Sequence, residues 1–315
     1  VRALLIVNPH ATSTTPVRRD VIVSALASEL DLEVVETRYR GHAASLAAGA
    51  VKEGLDLVLT LGGDGTVNEA VNGLVGSPNG NQPTAAADML PALGPIPGGN
   101  ANVFTRALGL PGDPVDATGH ILAALSRGQT RSIGLGLAGD TYFTSSSGLG
   151  LDAEVVRAIE GIRATGRKAS DLLYVWTTLR QYYAVTDRRH PALTLERSGH
   201  EPIGHVFFGV VSNAAPWTYV GSRPVNPSPL ASFDSGLDAF ALRRLRTVST
   251  LNALRQMLSA KNLPPNGRHV ISLHDEPAVT LRSDRPIALQ VDGEYMGEHE
   301  CVAFRAIPQA LRVTI

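Results

Sequence analysis

The stretch Gly62-Gly63-Asp64-Gly65-Thr66-Val67-Asn68 follows the apolar run Leu55–Leu61 and leads into an apolar-periodic segment. Strand, glycines and helix start in that order are the pattern of a loop that cradles phosphate. Glycines let the backbone take conformations closed to other residues and bring its N–H groups close to a ligand. A helix beginning near Thr66 directs its unpaired N–H groups and positive dipole end at an anion. Asp64 stands out, because a carboxylate repels a bare phosphate. It makes sense where a divalent cation or a transferable proton comes between them. A tight turn with the Asp in a local hydrogen bond would use the same residues.

A second glycine-rich turn, Pro97-Gly98-Gly99-Asn100-Ala101-Asn102, follows a short strand candidate at Leu93–Ile96 and could face the same cleft or act as a connector. Two acidic turns lie further on. Phe233-Asp234-Ser235-Gly236-Leu237-Asp238 puts two carboxylates beside a turn, enough for part of a hard-cation site or for an ordinary turn. Val291-Asp292-Gly293-Glu294 falls between apolar strands, where Asp-Gly is the commonest two-residue hairpin turn. Gly134-x-Gly136-x-x-Gly139 has the dinucleotide spacing but lies in a strand and turn, so it is rejected.

These residues need elements to hold them. Ala3–Asn8, Leu32–Thr37 and Leu55–Leu61 read as strands, with helices from about Val17 to Leu30 and from His42 to Glu53. The alternation argues a parallel sheet covered by helices, with ligands at the C-terminal ends of the strands. Asn8, Thr37 and the Gly62–Gly65 loop all lie at such ends. Gly76 to Asp88 reads as a surface loop. From Thr130 short strands with turn signals take over, interrupted by helix candidates at Asp152–Ala164, Asp171–Val185 and Val248–Leu258. The expected fold is therefore an α/β N-terminal domain, residues 1–130, followed by a predominantly β domain, residues 131–305.

With 315 residues, 43 % hydrophobic and 18 % charged, the chain has room for two domains and a large core. A net charge of -1 offers no global reason to expect nucleic-acid binding. Only Lys52, Lys168 and Lys261 are lysines, so a phosphate clamp would be arginine or backbone. The single cysteine, Cys301, excludes an intrachain disulfide and a cysteine metal cluster, which fits a reducing cytosol. No apolar run approaches the ~20 residues that span a bilayer, and the N-terminus reads as a strand rather than a signal peptide.

In order along the chain, the motifs resemble the diacylglycerol kinase catalytic-domain family of lipid kinases, especially its soluble bacterial members, with sphingosine kinases as relatives. The resemblance rests on Asn8-Pro9, Thr37 with Gly41-His42-Ala43, Gly62 through Gly73, Pro97-Gly98-Gly99 with Asn102, Gly148-x-Gly150-x-Asp152-Ala153, the Asp234 turn and Val291-Asp292-Gly293-Glu294. Gly-Gly-Asp-Gly also occurs in NAD kinases and phosphofructokinases. The continuation Asn68-Glu69-x-x-Asn72-Gly73 is what favours lipid kinases.

The resemblance implies a nucleotide-binding α/β domain and a β-sandwich-like domain with the active site between them, the last strand, about residues 306–315, returning to the first domain. It implies an ATP- and magnesium-dependent transfer of phosphate to a lipid hydroxyl, with diacylglycerol converted to phosphatidic acid as the leading case. Nucleotide contacts carry over to Asn8, Pro9, His10, Ala11, Thr12, Thr37, Gly62, Gly63, Asp64, Gly65, Thr66, Val67, Asn68 and Asn100. Glu294 carries over as general base, with Asp64 on magnesium and phosphate positioning, and Asp234 as a structural magnesium ligand. The lipid tail would enter an apolar pocket in the second domain, with Trp176, Tyr182, Tyr183, Trp217 and Tyr219 as candidate walls. The expected setting is cytoplasmic with transient peripheral membrane contact, no nucleic-acid partner, and room for a homodimer.

Three departures stand out. His10 replaces a common basic residue, Asn100 replaces a hydroxyl residue, and Ser235 replaces a frequent second aspartate at the metal turn. The rival readings are an NAD kinase-like phosphotransferase and a non-catalytic lipid- or nucleotide-binding module on the same fold.

Overall fold

The strand β1 (Arg2–Val7) is flanked by β2 (Asp31–Glu36) on one side and by β3 (Leu57–Gly62) on the other, and β4 (Ala92–Pro97) lies beyond β3. All four run parallel. β3 and β4 are buried at every position. That is why their sequences are continuous apolar runs rather than alternating ones: helices cover both faces. The computed structural model describes residues 1–11, 14–76, 87–164 and 190–315. These form two compact units, Val1–Leu135 with Asp140–Tyr142 and Pro308–Ile315, and Gly136–Gly139 with Phe143–Ile307.

Each helix of the first unit starts where local chemistry permits. Thr15 caps α1 (Pro16–Ala27), its side chain accepting the N–H of Arg18, with Pro16 where a missing N–H does no harm. Asp113 and Pro114 do the same for α5 (Pro114–Ser126). Glu69 caps α2 (His42–Lys52) from outside, accepting the N–H groups of Gly41 (2.7 Å) and Ala43 (3.2 Å). It does so from α3 (Asp64–Val75). α2 and α3 pack closely because Gly73 leaves space, a Cβ there standing 2.2 Å from the Ala44 carbonyl oxygen. α1 and α5 pack together. The strand order 2-1-3-4 reverses direction between β1 and β3, and Val313 of the last strand extends the sheet by pairing parallel with Leu93.

α3 begins at Asp64, two residues earlier than the sequence suggests, so the aspartate is in the first helical turn. α5 has no counterpart in the sequence reading, although Asp113-Pro114 is a sound start signal. The predicted Gly76–Asp88 loop falls mostly outside the described residues, as does the predicted helix Asp171–Val185.

The second unit is antiparallel. β7 (Ser146–Leu149), β10 (Phe208–Ser212), β13 (Leu237–Leu242) and β14 (Val270–Glu276) pair in that order. Two long strands carry the rest. β15 (Ala278–Val291) pairs with β16 (Glu294–Val313) along one edge. On its other edge Thr280–Ser283 pair with β8 (Leu193–Glu196), whereas Leu289–Val291 pair with β7. Sequence reading gives Ala278–Arg282 and Ile287–Val291 as separate strands, with Ser283-Asp284-Arg285-Pro286 between them. That interval is a register shift within one strand, the point where β15 exchanges one partner for the other. A core of Phe143, Leu195, Leu237, Leu281 and Phe304 lies against these strands. A second cluster, including Phe240, Leu242, Leu245 and Met257, joins β13 to the last helix, Thr247–Met257, here α7. α6 (Leu151–Ala164) begins one residue before Asp152.

Candidate active site

β1 and β3 end side by side at the point where the strand order reverses, and their loops are tied together. The Asn8 N–H donates to the Leu61 carbonyl (2.9 Å), and its Nδ2 donates to the hydroxyl of Thr66 in the first turns of α3 (3.1 Å). The Asn8 Oδ1 accepts the His10 N–H (3.0 Å), fixing the Asn-Pro-His turn. Pro9 and His10 are exposed and Ala11 is half-buried. Thr12 lies outside the described residues.

The two glycine turns pack on each other backbone to backbone. The Gly98 N–H donates to the Gly62 carbonyl (2.7 Å), and a Cβ at Gly99 would stand 2.6 Å from the Gly63 Cα. A Cβ at Gly62 would meet the Thr66 hydroxyl at 2.6 Å. None of Gly62, Gly63, Gly98 or Gly99 has positive φ. The expectation that these glycines serve unusual backbone angles is therefore corrected: they serve close approach, of loop to loop and loop to helix.

Asp64 is held within this arrangement, its Oδ1 accepting the Phe104 N–H (3.1 Å) at the start of the short helix α4 (Val103–Ala107). The partner is forty positions away in the chain, not a local turn. The Asn102 side chain braces the second turn, accepting the Gly99 N–H (2.8 Å) and donating to the Gly99 carbonyl (2.9 Å). Asn100 is exposed on that turn. The N-cap of α3 is Gly63, so no side chain caps its first N–H groups.

Other predicted contacts have different surroundings. Val67 is 1 % exposed and belongs to the core, leaving only its backbone for a ligand. Asn68 donates to the Tyr142 carbonyl (2.8 Å), and Asn72 pairs with both the N–H (2.9 Å) and the carbonyl (3.0 Å) of Tyr142. The Asn68-Glu69-x-x-Asn72 motif thus fastens α3 to its neighbours. Thr37 is half-buried past the end of β2, its N–H donating to the Val7 carbonyl (2.8 Å).

Thr12 to Thr15 offer hydroxyls near the start of α1 in the sequence, but only Thr12 is among the expected nucleotide contacts. The Thr14 hydroxyl is buried with no hydrogen-bond partner among the described residues, 3.0 Å from where a Gly98 Cβ would stand. An orphaned hydroxyl beside two glycine turns and an uncapped helix start fits a phosphate-bearing ligand.

In the second unit, Glu294 is the half-buried first residue of β16, paired across the turn with Val291. Asp292 and Gly293 both have positive φ (46° and 79°), the conformation of a tight two-residue hairpin. Asp292 reaches back to β7 and the residues before it. One oxygen accepts the N–H (2.7 Å) and hydroxyl (2.8 Å) of Thr144, and the other accepts the N–H groups of Ser145 (2.9 Å) and Ser146 (3.0 Å). Asn213 donates to the Thr144 carbonyl (2.9 Å), and the Ser147 hydroxyl to that of Gln290 (2.6 Å). This buried polar cluster, on which the hairpin bearing Glu294 is seated, has no short-range signature in the chain.

The Asp234 turn does not fit a structural metal. Asp234 is exposed, the nearby Asp275 carboxylate accepts the Gly236 N–H (2.6 Å), and Asp238 accepts from the His274 ring (2.7 Å) and the Asp275 N–H (3.1 Å). Among the described residues no group of three or more His, Cys, Asp or Glu side chains is arranged to hold a metal. Asp238 is 2 % exposed, and burial pushes its carboxyl above the usual carboxylate range, the His274 and Asp275 hydrogen bonds offsetting only part of that. Of the candidate lipid-pocket residues, Trp217 packs against the cluster beside α7, Tyr219 is half-buried, and Trp176, Tyr182 and Tyr183 lie outside the described residues.

A parallel sheet in this order, with glycine turns at the reversal point, is the architecture of nucleotide-binding α/β proteins. Residues 2–138 match the model of the diacylglycerol kinase catalytic domain. The chain is 27 % identical over 262 residues to a diacylglycerol kinase of Bacillus subtilis, covering 83 % of this chain and 78 % of that one. It is 29 % identical over 266 residues to a Chromohalobacter salexigens protein described as "Probable lipid kinase YegS-like", covering 84 % of this chain and 77 % of the other. The crystal structure of a diacylglycerol kinase from Bacillus anthracis aligns with a TM-score of 0.68 over 99 % of this chain and 96 % of that one, at 18 % identity, a likeness of fold.

Proposed function

We propose that this chain is a member of the diacylglycerol kinase family, a lipid kinase that transfers the γ-phosphate of magnesium-ATP to a lipid hydroxyl, with diacylglycerol as acceptor and phosphatidic acid as product. The observation that carries the reading is the mutual packing of the two glycine turns at the reversal point of the sheet, beside an uncapped helix start and an orphaned hydroxyl.

Backbone N–H groups at the start of α3 and the Thr14 hydroxyl orient the phosphates. A magnesium ion bound with the nucleotide would supply charge neutralisation for the phosphates. Asp64, whose Oδ1 accepts the Phe104 N–H, would be the carboxylate that holds this ion. Glu294 accepts the proton of the lipid hydroxyl as its oxygen bonds to the γ-phosphorus and ADP departs. Asp292 acts through Glu294, as a positioning residue that seats the hairpin. No helix among the described residues is long and apolar enough to cross a membrane, and on this reading the lipid is met by peripheral contact.

The test is transfer of labelled γ-phosphate across diacylglycerol, monoacylglycerol, sphingoid bases and NAD. Labelling of diacylglycerol above the Asp64→Asn background supports the reading. Labelling of NAD alone, or of nothing, sinks it.

A further inference from the structure

Helix α7 is apolar on two opposite sides. At 3.6 residues per turn, Ala253 and Met257 fall on the face that packs against the core. Val248, Leu251 and Leu254 fall on the far side and are 82 %, 57 % and 43 % exposed. A surface helix normally presents polar residues there. The apolar surface continues past the helix, where Leu263, 64 % exposed, joins Leu254 and Leu258 in lining an open cavity of about 670 Å3.

The same stretch is strongly cationic. Residues 239–273 include Arg243, Arg244, Arg246, Arg255, Lys261 and Arg268, and contain no Asp or Glu, in a chain whose net charge is -1. These six side chains are exposed, and among the described residues none is in an ion pair. Four of them converge: burial, then the fields of Arg244, Arg268, Arg246 and Arg243, hold the His269 imidazole below its usual range. Apolar side chains ringed by unpaired cations are complementary to a surface that is apolar within and anionic at its face. An anionic bilayer is such a surface.

We infer that α7 and the loop that follows it, residues 258–266, form the face by which this protein lies on an anionic membrane. Val248, Leu251 and Leu263 enter the headgroup boundary, and the arginines and Lys261 pair with lipid phosphates. The inference deepens the lipid-kinase reading and rests on it for the reason such a face exists.

The test is flotation of the full chain with phosphatidylcholine vesicles, with and without phosphatidylglycerol. The parent is expected to float with the anionic vesicles and to be released by salt. Val248→Asp with Leu251→Asp, and separately Arg243→Glu with Arg244→Glu, are each expected to weaken binding about tenfold or more. Val17→Asp, an equally exposed position on α1, is expected to change nothing. Unchanged melting temperatures show that the variants fold. Variants that float like the parent, or a parent that floats with no vesicle, overturn the inference. So does a dimer that Leu251→Asp dissociates while vesicle binding stays intact, since the face would then join two copies of the chain. Transfer to a short-chain diacylglycerol dissolved below its micelle concentration separates the two readings. Retained transfer in variants that no longer float supports docking. Flotation that depends on these residues in a parent that phosphorylates no lipid leaves docking standing and removes the kinase.

Discussion

Asp292 and Thr144 lie 148 positions apart, and the carboxylate of the first accepts both the backbone N–H (2.7 Å) and the hydroxyl (2.8 Å) of the second. With Ser145 and Ser146 on its other oxygen, that carboxylate meets four donors. Asp292→Ala leaves those donors unpaired in a buried strand end and is expected to destabilise the protein by about 2–4 kcal/mol. Chemical denaturation measures this, and a loss below about 0.5 kcal/mol would mean that the cluster does not hold the hairpin.

The glycine turns predict opposite outcomes for one chemical change. Gly99→Ala drives a methyl group against the Gly63 Cα and is expected to cost about 1–3 kcal/mol and to weaken ATP binding. Gly49→Ala, inside α2 with open space around it, is expected to stabilise by roughly 0.5–1 kcal/mol. Thermal melts and ATP titrations of the two variants decide the matter; similar effects from both would contradict the packing argument.

Asp238 predicts a pH dependence. Its carboxyl is raised in the folded protein, so its contribution is fully present below the unfolded carboxylate value and is lost as pH rises through the folded value. Asp238→Asn removes that dependence. The stability of the variant relative to the parent should therefore climb as pH rises from about 4. Denaturation curves across pH check this; a difference that stays flat would show that the hydrogen bonds balance burial, and one that falls would show that they outweigh it.

The alternation of strand and helix is legible in the first unit because β1 and β3 are buried on both faces and so read as apolar runs, Ala3–Val7 and Leu57–Leu61. The glycine turns are legible by composition. That they press against each other is not, since Gly63 and Gly99 meet only after β4 pairs with β3. Asp64 reads as an oddity because its partner, the Phe104 N–H, is supplied by another turn. The Asn68–Asn72 motif invites a ligand reading, yet its amides bond to the Tyr142 backbone, a partner no local pattern reveals. Asp292 presents the same difficulty. Asp-Gly signals the hairpin, while the donors that seat it come from Thr144 through Ser146.

In the proposed function Asp64 and Glu294 serve one phosphoryl transfer. The direct measurement is the single-turnover rate of labelled γ-phosphate transfer to diacylglycerol by the parent, Asp64→Asn and Glu294→Gln, alongside ATP affinity and melting temperature. The account predicts rates reduced about 100-fold or more in both variants, with unchanged melting and with ATP affinity kept in Glu294→Gln. Parent-like transfer by Glu294→Gln would contradict it.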